Sequence, residues 1–292
     1  MPQLAPERTF EVERVYLQLK ALDAISQTFR CHCYIEMRAR GAQQDADFFK
    51  KDADGTLVNT MTKHDSSSVV PSVLWYLQNQ MRWPNASEHE IVECKAIPTR
   101  GSSEDISCII RVNGEFQEEM ELFHFPVDFQ DLQLMFEMQC AKTVSPFPVQ
   151  LVLSPNLVAT IDHEAFMLRN IWSLEPSVVV DTFEHTGIGG SIVYPAVRIA
   201  CRVSRLSSYY ILNIVVPMGL FSFLSILAAL AMPIDKSPER IGLALTLVLT
   251  AAAYKFAIAS MVPTVSYTTL ADKYILSQVR RLGWDGAHNE SK

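Results

Sequence analysis

Two apolar runs dominate the second half of the chain, separated by one short polar break. From Tyr209 to Met232 there is no charged residue. As a helix this run is ~36 Å long, enough to cross a ~30 Å hydrocarbon core. The break is Ile234-Asp235-Lys236-Ser237-Pro238-Glu239-Arg240, and a second run, Ile241 to Val262, follows with one charge, Lys255. The pattern predicts a membrane hairpin with spans over 209–232 and 241–262. The first run is bulky, carries Phe221 and Phe223, and has Pro217 in its interior. The second is rich in Ala, Leu and Thr. At helical spacing it sets Gly242, Thr246, Leu249, Ala253, Phe256 and Ser260 in one stripe, flanked by Leu243, Leu245, Leu247, Val248 and Ile258. Small and polar residues in such a stripe suit either a water-filled pore or close helix packing.

Residues 11 to 203 alternate with period two. Phe29, Cys31, Cys33, Ile35 and Met37 share one face, and Arg30, His32, Tyr34, Glu36 and Arg38 the other. Val15, Leu17 and Leu19 alternate with Tyr16, Gln18 and Lys20. Leu132, Leu134, Phe136, Met138 and Cys140 form another apolar set, and Val197, Ile199, Cys201 and Val203 a fourth. One apolar and one polar face per strand indicates antiparallel sheets covered on one side. The expected fold is mainly β, an immunoglobulin-like sandwich of roughly 200 residues, followed by transmembrane helices. The expected division is a β-sandwich over 1–206, a membrane region over 207–262, and a post-pore loop and tail over 263–292. The last strand runs almost directly into the first span, so strain in the sandwich can reach the membrane mechanically.

Composition narrows the function. Charged residues are 20% and the net charge is −7, which leaves no electrostatic footprint for nucleic acid. No phosphate loop, nucleophile elbow or His-Glu zinc helix is present, so neither an enzyme nor a cofactor is expected. The seven histidines are scattered, and His32 points away from Cys31 and Cys33 on its strand, which argues against a metal site. Cys31, Cys33, Cys108, Cys140 and Cys201 lie on apolar faces, as buried thiols do. Cys94 and Cys108 are symmetric about Gly101 at a hairpin tip, where a disulfide and free thiols both fit. Asn85-Ala86-Ser87 fits a glycosylation acceptor at Asn85. The amino terminus, Met1 to Arg8, has no apolar core and does not read as a secretory signal.

Several motifs then fall in one order. Phe125-Pro126-Val127-Asp128-Phe129-Gln130 resembles the Phe-Pro-x-Asp-x-Gln core of the signature loop of pentameric ligand-gated ion channels, the Cys-loop receptor superfamily. Ser204-Arg205, Tyr209-Tyr210, Asn213-Ile214 and Pro217-Met218 resemble that family's entry into its first membrane helix. Pro238-Glu239-Arg240 with the Thr246 and Leu249 stripe resembles the start of its pore helix, and Pro263 and Tyr267 the loop beyond. Val70-Pro71 with Trp75 resembles the segment bearing the first ligand-pocket aromatic. The family's eukaryotic receptors have cysteines seven residues either side of the signature phenylalanine; here Glu118 and Leu132 stand there, as in members lacking the loop cysteines. Two further helices of the family have no apolar run to match them, so the chain reads as a subunit truncated after its second span, a fragment or a short form.

The resemblance implies a small-molecule ligand bound between the subunits of a homo- or hetero-pentamer, with the amino-terminal domain outside the plasma membrane. Trp75 and Tyr194 are the expected aromatic walls. Glu137-Met138-Gln139 and Arg38-Ala39-Arg40 stand where the family has aromatics, which disfavours a choline-like cation; Arg38 and Arg40 fit either an anionic ligand or, more plainly, two solvated arginines on a strand's polar face. Coupling to the pore falls to Asp23 in the turn Leu22–Ile25, Phe125, Pro126, Asp128, Arg205 and Pro263, with Asp128 and Arg205 as a charge pair. Glu239, Gly242, Thr246, Leu249 and Ala253 would line the pore, Leu249 as its hydrophobic gate and Glu239 as a ring favouring cations; a carboxylate stabilising a helix start is the plainer reading of Glu239. The rival reading is a non-conducting membrane-anchored binding module or a truncated regulatory subunit.

Overall fold

The computed structural model describes residues 7–42, 49–51, 57–59, 73–99, 104–141, 147–187, 192–231, 237–258 and 265–287, with isolated positions between them. The strands are β1 (Arg8–Asp23), β2 (Thr28–Ala39), β3 (Phe49–Lys51), β4 (Leu57–Asn59), β5 (Met81–Arg82), β6 (Ala86–Pro98), β7 (Ile106–Gln117), β8 (Phe129–Met138), β9 (Val149–Ile161), β10 (Trp172–Thr186) and β11 (Val193–Arg205). A short helix α1 (Val73–Trp75) runs into a wide turn, Tyr76–Gln80, before β5. After β11 come α2 (Ser208–Tyr210), a wide helical turn (Ile211–Val215), α3 (Val216–Ala231), α4 (Ser237–Ile258) and α5 (Leu270–Ala287). The chain divides into two compact units. One holds Met1–Glu119, Asp131–Arg169 and Leu174–Val203; the other holds Met120–Gln130, Asn170–Ser173 and Ser204–Lys292.

The first unit is a sandwich of a five-stranded sheet, β6-β7-β2-β1-β9, and a four-stranded sheet, β10-β11-β8-β5. Its inner faces are the apolar sets of the alternation. Phe29, Cys31, Cys33, Ile35 and Met37 of β2 are buried, as are Leu132, Leu134, Phe136 and Met138 of β8 and Val197, Ile199, Cys201 and Val203 of β11. Each such side chain stabilises the fold by about 1.5–3 kcal/mol. Trp83 joins the layers, 6.1 Å from the Phe116 ring on β7 and 5.5 Å from Phe136 on β8. A bulge between Val12 and Arg14 of β1 lets Val12 and Val15 both face inwards, since one extra residue resets the period-two alternation. β1 pairs with β2 antiparallel and with β9 parallel.

The disulfide expected as one option at the β6–β7 hairpin does not form, and all six cysteines are free. The register pairs Cys94 with Ile110 and Cys108 with Ala96, so the two thiols are diagonal rather than opposite. The pairing runs without a break from Pro98–Ile106 to Glu93–Arg111 and is centred one residue past Gly101, which offsets the two cysteines from direct pairing. Burial pushes the Cys94 and Cys140 thiols up to about 11, so they stay neutral and unreactive.

In the second unit, Ser208–Ala228 is the one described stretch long and apolar enough to cross a membrane. Only 22% of that window is buried, unlike the core helix of a water-soluble domain. Among the described residues, the apolar part of α4 is the shorter stretch Ile241–Ala257. Pro217 sits inside the first helix and has no N–H to donate. The backbone answers with the wide turn at Ile211–Val215, where the N–H of Val216 reaches the Ile211 carbonyl. The hydroxyl of Tyr254 on α4 donates to the Asn213 carbonyl, one turn before the proline. Tyr274 of α5 donates to the Val215 carbonyl at 2.9 Å. Gly219 permits that approach: a Cβ there would stand 3.0 Å from the Tyr274 oxygen.

The segment expected as loop and tail instead contains α5. Among the described side chains its buried residues are Ala271, Ile275 and Gln278, and Asp272, Lys273, Ser277 and Gln278 interrupt the sequence, which is why no apolar run marks it. Ile275 packs with Ile214, Met218 and Ala251 in one core between the helices.

Candidate functional site

The signature segment folds as two successive turns. The Phe125 N–H reaches the Leu122 carbonyl at 3.0 Å and the Val127 N–H the His124 carbonyl at 2.9 Å; the Phe125–Pro126 bond is cis. Phe125 is fully buried, packed with Leu122 and Ala271, with Tyr210 and Val265 against them. Its ring meets Tyr210 edge-on at 4.8 Å.

Asp128 lies at the end of this segment and Arg205 at the end of β11. Arg205 donates through Nε to Asp128 Oδ1 at 2.7 Å and through Nη2 to Oδ2 at 3.1 Å. The side chains are only 4% and 1% exposed. The backbones meet as well, the Arg205 N–H giving 2.9 Å to the Asp128 carbonyl. Gln130 Nε2 adds a third donor to the carboxylate at 2.8 Å and also reaches the Glu121 carbonyl at 3.0 Å. The guanidinium carbon lies 4.2 Å from the Trp172 ring centroid, 5.1 Å from Phe125 and 5.6 Å from Tyr210. A buried ion pair is costly to desolvate and holds only when hydrogen bonds satisfy both partners; carboxylate, amide and aromatic faces meet that condition here.

The same segment caps α5. The N–H groups of Leu270 and Ala271 donate to the Phe123 and Phe125 carbonyls at 2.9 and 3.1 Å. These are among the first-turn donors that a helix cannot satisfy itself. Thr269 and Asp272 complete a capping-box arrangement: Thr269 Oγ1 accepts the Asp272 N–H at 3.1 Å and Asp272 Oδ2 accepts the Thr269 N–H at 3.2 Å, with the hydroxyl also donating to Oδ2 at 2.9 Å. The Leu122 N–H donates to the Tyr267 hydroxyl at 2.8 Å, and Lys273 Nζ stands 3.9 Å from the Phe123 ring centroid.

In the first unit, the two strand ends that lead into and out of the signature segment are clasped by side chains. Asn85 Nδ2 donates to the Gln117 and Gln133 carbonyls at 3.3 and 2.6 Å, and its Oδ1 accepts the Met135 N–H at 3.1 Å. Glu118 Oε2 accepts the Gln133 N–H at 3.1 Å. The Asn85 side chain, nominated as a glycosylation acceptor, thus bonds to backbone on both neighbouring strands. Both amide hydrogens are engaged by backbone carbonyls, and Ser87 Oγ donates to the Glu115 carbonyl at 3.0 Å, so the triplet serves the fold. Burial, with Asp131 and Glu119 nearby, pushes the Glu118 carboxyl up to about 7.

The four nominated ligand residues do not converge within one chain. Trp75 is half-buried and meets Tyr76 edge-on at 5.3 Å. Tyr194 lies against the Gly187 backbone, where a Cβ would stand 2.7 Å from its ring. Arg38 and Arg40 do share a cleft, with Glu11, Glu13, Arg14, Glu36 and Asp105 on its walls; neither aromatic lines it. Arg38 pairs with Glu13, and Arg40 donates to Glu11 Oε2 through Nε and Nη2 at 3.0 and 2.7 Å. Four carboxylates against three guanidinium groups leave no surplus positive charge. The Arg40 guanidinium, first of several causes, holds Glu11 below the usual carboxylate range.

On α4, Ala251 is buried and Leu247, Val248 and Tyr254 pack beside it, whereas Glu239, Gly242, Thr246, Leu249 and Ala253 are all exposed on the opposite side. Leu249 is 71% exposed. Thr246 Oγ1 donates to the Gly242 carbonyl at 2.8 Å. Asp23 accepts the Ile25 N–H at 2.8 Å in the turn between β1 and β2, and these local bonds hold its carboxyl below the usual range. Pro263 and Val70-Pro71 lie outside the described residues. Trp172, absent from the sequence-based nominations, is the ring nearest Arg205; it carries no motif, only its aromatic character.

No protein-family model matches the chain. Among curated proteins, it is 27% identical over 165 residues to "Acetylcholine receptor subunit epsilon" of Xenopus laevis. The chain is distantly similar to acetylcholine receptor subunits, and so to the Cys-loop pentameric ligand-gated channel superfamily. That match covers 54% of this chain and 32% of the frog subunit. A second, to "Acetylcholine receptor subunit alpha-type acr-7" of Caenorhabditis elegans, is 36% identical over 73 residues, covering 25% of this chain and 13% of that subunit. The chain thus matches well under half the length of either relative. Both are receptor subunits, not enzymes, and the sandwich followed by helices is the arrangement that the resemblance implies.

Proposed function

We propose that this chain is, or belongs to, a subunit of a pentameric ligand-gated ion channel, set in the plasma membrane with its β-sandwich outside. Small-molecule ligand binds between neighbouring sandwiches, with Trp75 and Tyr194 as walls. Ligand affinity differs between the closed and open states, and that difference biases the pore. Asp23, Phe125, Pro126, Asp128, Arg205 and Pro263 couple the two. The observation that carries this reading is the buried Arg205–Asp128 pair, which ties the last strand to the signature segment within the unit that holds the helices. Its support is the exposed Glu239–Ala253 stripe on α4, opposite the packed face. In a ring of subunits that stripe faces the lumen, with Leu249 as the dewetting gate and Glu239 favouring cations.

The test needs no ligand. Leu249→Ser is expressed at a cell surface and recorded under voltage clamp. A standing current that reverses at the sodium rather than the chloride potential is expected, above that of the unmodified chain. Surface-expressed variant without current would overturn the gate assignment. That outcome would favour the second reading, a non-conducting membrane-anchored binding module or regulatory subunit. The second reading has its own support: only Ser208–Ala228 among the described residues is long and apolar enough to span.

A further inference from the structure

We propose that Lys255 sets a ring of positive charge just outside the Leu249 gate, so that the pore passes cations more easily outwards than inwards. The inference rests on the channel reading above, with the sandwich outside. Lys255 is the one charge in the stretch Ile241–Ala257 of α4, and it is exposed. Its depth follows from its neighbour. Tyr254 donates to the Asn213 carbonyl, so the late part of α4 runs beside the early part of the span Ser208–Ala228. At 1.5 Å per residue this sets the Lys255 backbone about 6 Å inside the level of Ser208. Helical side chains lean towards the amino-terminal end of their helix. Because α4 runs outwards, Lys255 leans inwards over the turn of Ala251 and Ala252, away from the outer headgroups. An ammonium at that depth needs water or a counter-charge, and among the described residues it has no ion pair.

The helix leaves the ammonium one route to water. At about 100° per residue, Lys255 stands about 120° round α4 from Leu249, on the shoulder between the packed face and the exposed stripe. Ala251 is fully buried against Ile214, Met218 and Ile275, which closes the packed side. Ala252 lies about 60° from Leu249, between Lys255 and the stripe. It is half-buried, and its single methyl leaves room for a side chain to cross. The flexible four-carbon stem of a lysine, laid over Ala252, carries the ammonium to the edge of the stripe within one turn of Leu249. In a ring of subunits that edge meets the lumen, the nearest water at this depth. A fixed charge near a pore mouth sets the local ion concentration and so governs entry from that side. Glu239, in the first turn of α4, gathers cations at the inner mouth, whereas Lys255 thins them at the outer one. Outward cation current therefore exceeds inward current, and salt weakens the difference by screening.

The test is single-channel recording from excised patches with equal sodium chloride on both sides, in the Leu249→Ser background. Outward current is expected to exceed inward current about twofold or more at matched voltages. The ratio should fall towards unity as salt rises from about 0.05 M to about 0.5 M. Adding Lys255→Gln should raise the inward current and straighten the current–voltage relation, and Lys255→Arg should preserve the rectification. If Lys255→Gln does not reach the surface, the salt series on Leu249→Ser alone carries the test. A linear relation with Lys255 in place, a rectification that salt leaves unchanged, or one that survives Lys255→Gln would each overturn the inference while the channel reading stands. Surface-expressed Leu249→Ser without current would remove the channel reading and this inference together.

Discussion

The Arg205 guanidinium carbon lies over the Trp172 ring, 4.2 Å from its centroid, while Nε and Nη2 reach both oxygens of Asp128. The guanidinium is thus held by the carboxylate's charge and by the quadrupole of an aromatic face. A lysine offers neither a fork nor a plane.

Asp128→Ala and Arg205→Ala should each destabilise the chain by about 3–5 kcal/mol, because each leaves a buried charge unpaired. The double variant should cost clearly less than the sum. Denaturant unfolding in detergent reads the cycle, and simple additivity would show that the pair does not act as a unit. Arg205→Lys should keep the charge but recover only part of the stability.

Tyr254→Phe removes the hydroxyl that serves the Asn213 carbonyl beside Pro217. A loss of about 1 kcal/mol is expected, read as a lowered unfolding temperature. Tyr274→Phe, which frees the Val215 carbonyl, should do the same. An unchanged midpoint in both would show that water or a backbone adjustment already supplies these carbonyls.

Glu118 is the group that should make stability depend on pH near neutrality. Its carboxyl rises from an ordinary 4.5 to about 7 in the folded chain, first through burial and then through Asp131 and Glu119. Below 4.5 both states hold the proton. Between 4.5 and 7 only the folded chain holds it, so stability falls as pH rises through that window, and above 7 the loss is complete. The group is only half-buried, so the effect is on the order of 1 kcal/mol. Glu118→Gln should flatten the unfolding midpoint across that range; a slope as steep as before would assign the dependence to another group.

The sandwich was legible because its signal is local. Phe29 to Met37 and Leu132 to Met138 alternate, and burial follows the alternation residue by residue. The Asp128–Arg205 pair was legible from its two motifs, although 77 residues separate the partners. What was not legible depends on register. Arg38 on β2 and Arg40 just beyond it look like free cations until the β1 pairing and its bulge bring Glu11 and Glu13 beside them. Asn85 reads as a sugar acceptor because its triplet is local, whereas the carbonyls it binds lie 32 and 48 residues away. The helix α5 hid because Asp272, Lys273, Ser277 and Gln278 interrupt its apolar positions.

The two phenols that reach the wide turn leading into α3 come from different helices, and each serves a carbonyl that only one angular setting presents to it. Spinning α4 or α5 by one residue, about 100°, would carry its hydroxyl away from the carbonyl it serves. Their azimuths are therefore interlocked, like gears with a tooth engaged. Any displacement of this bundle that keeps both phenols seated must tilt or carry α3, α4 and α5 together and cannot rotate one against another.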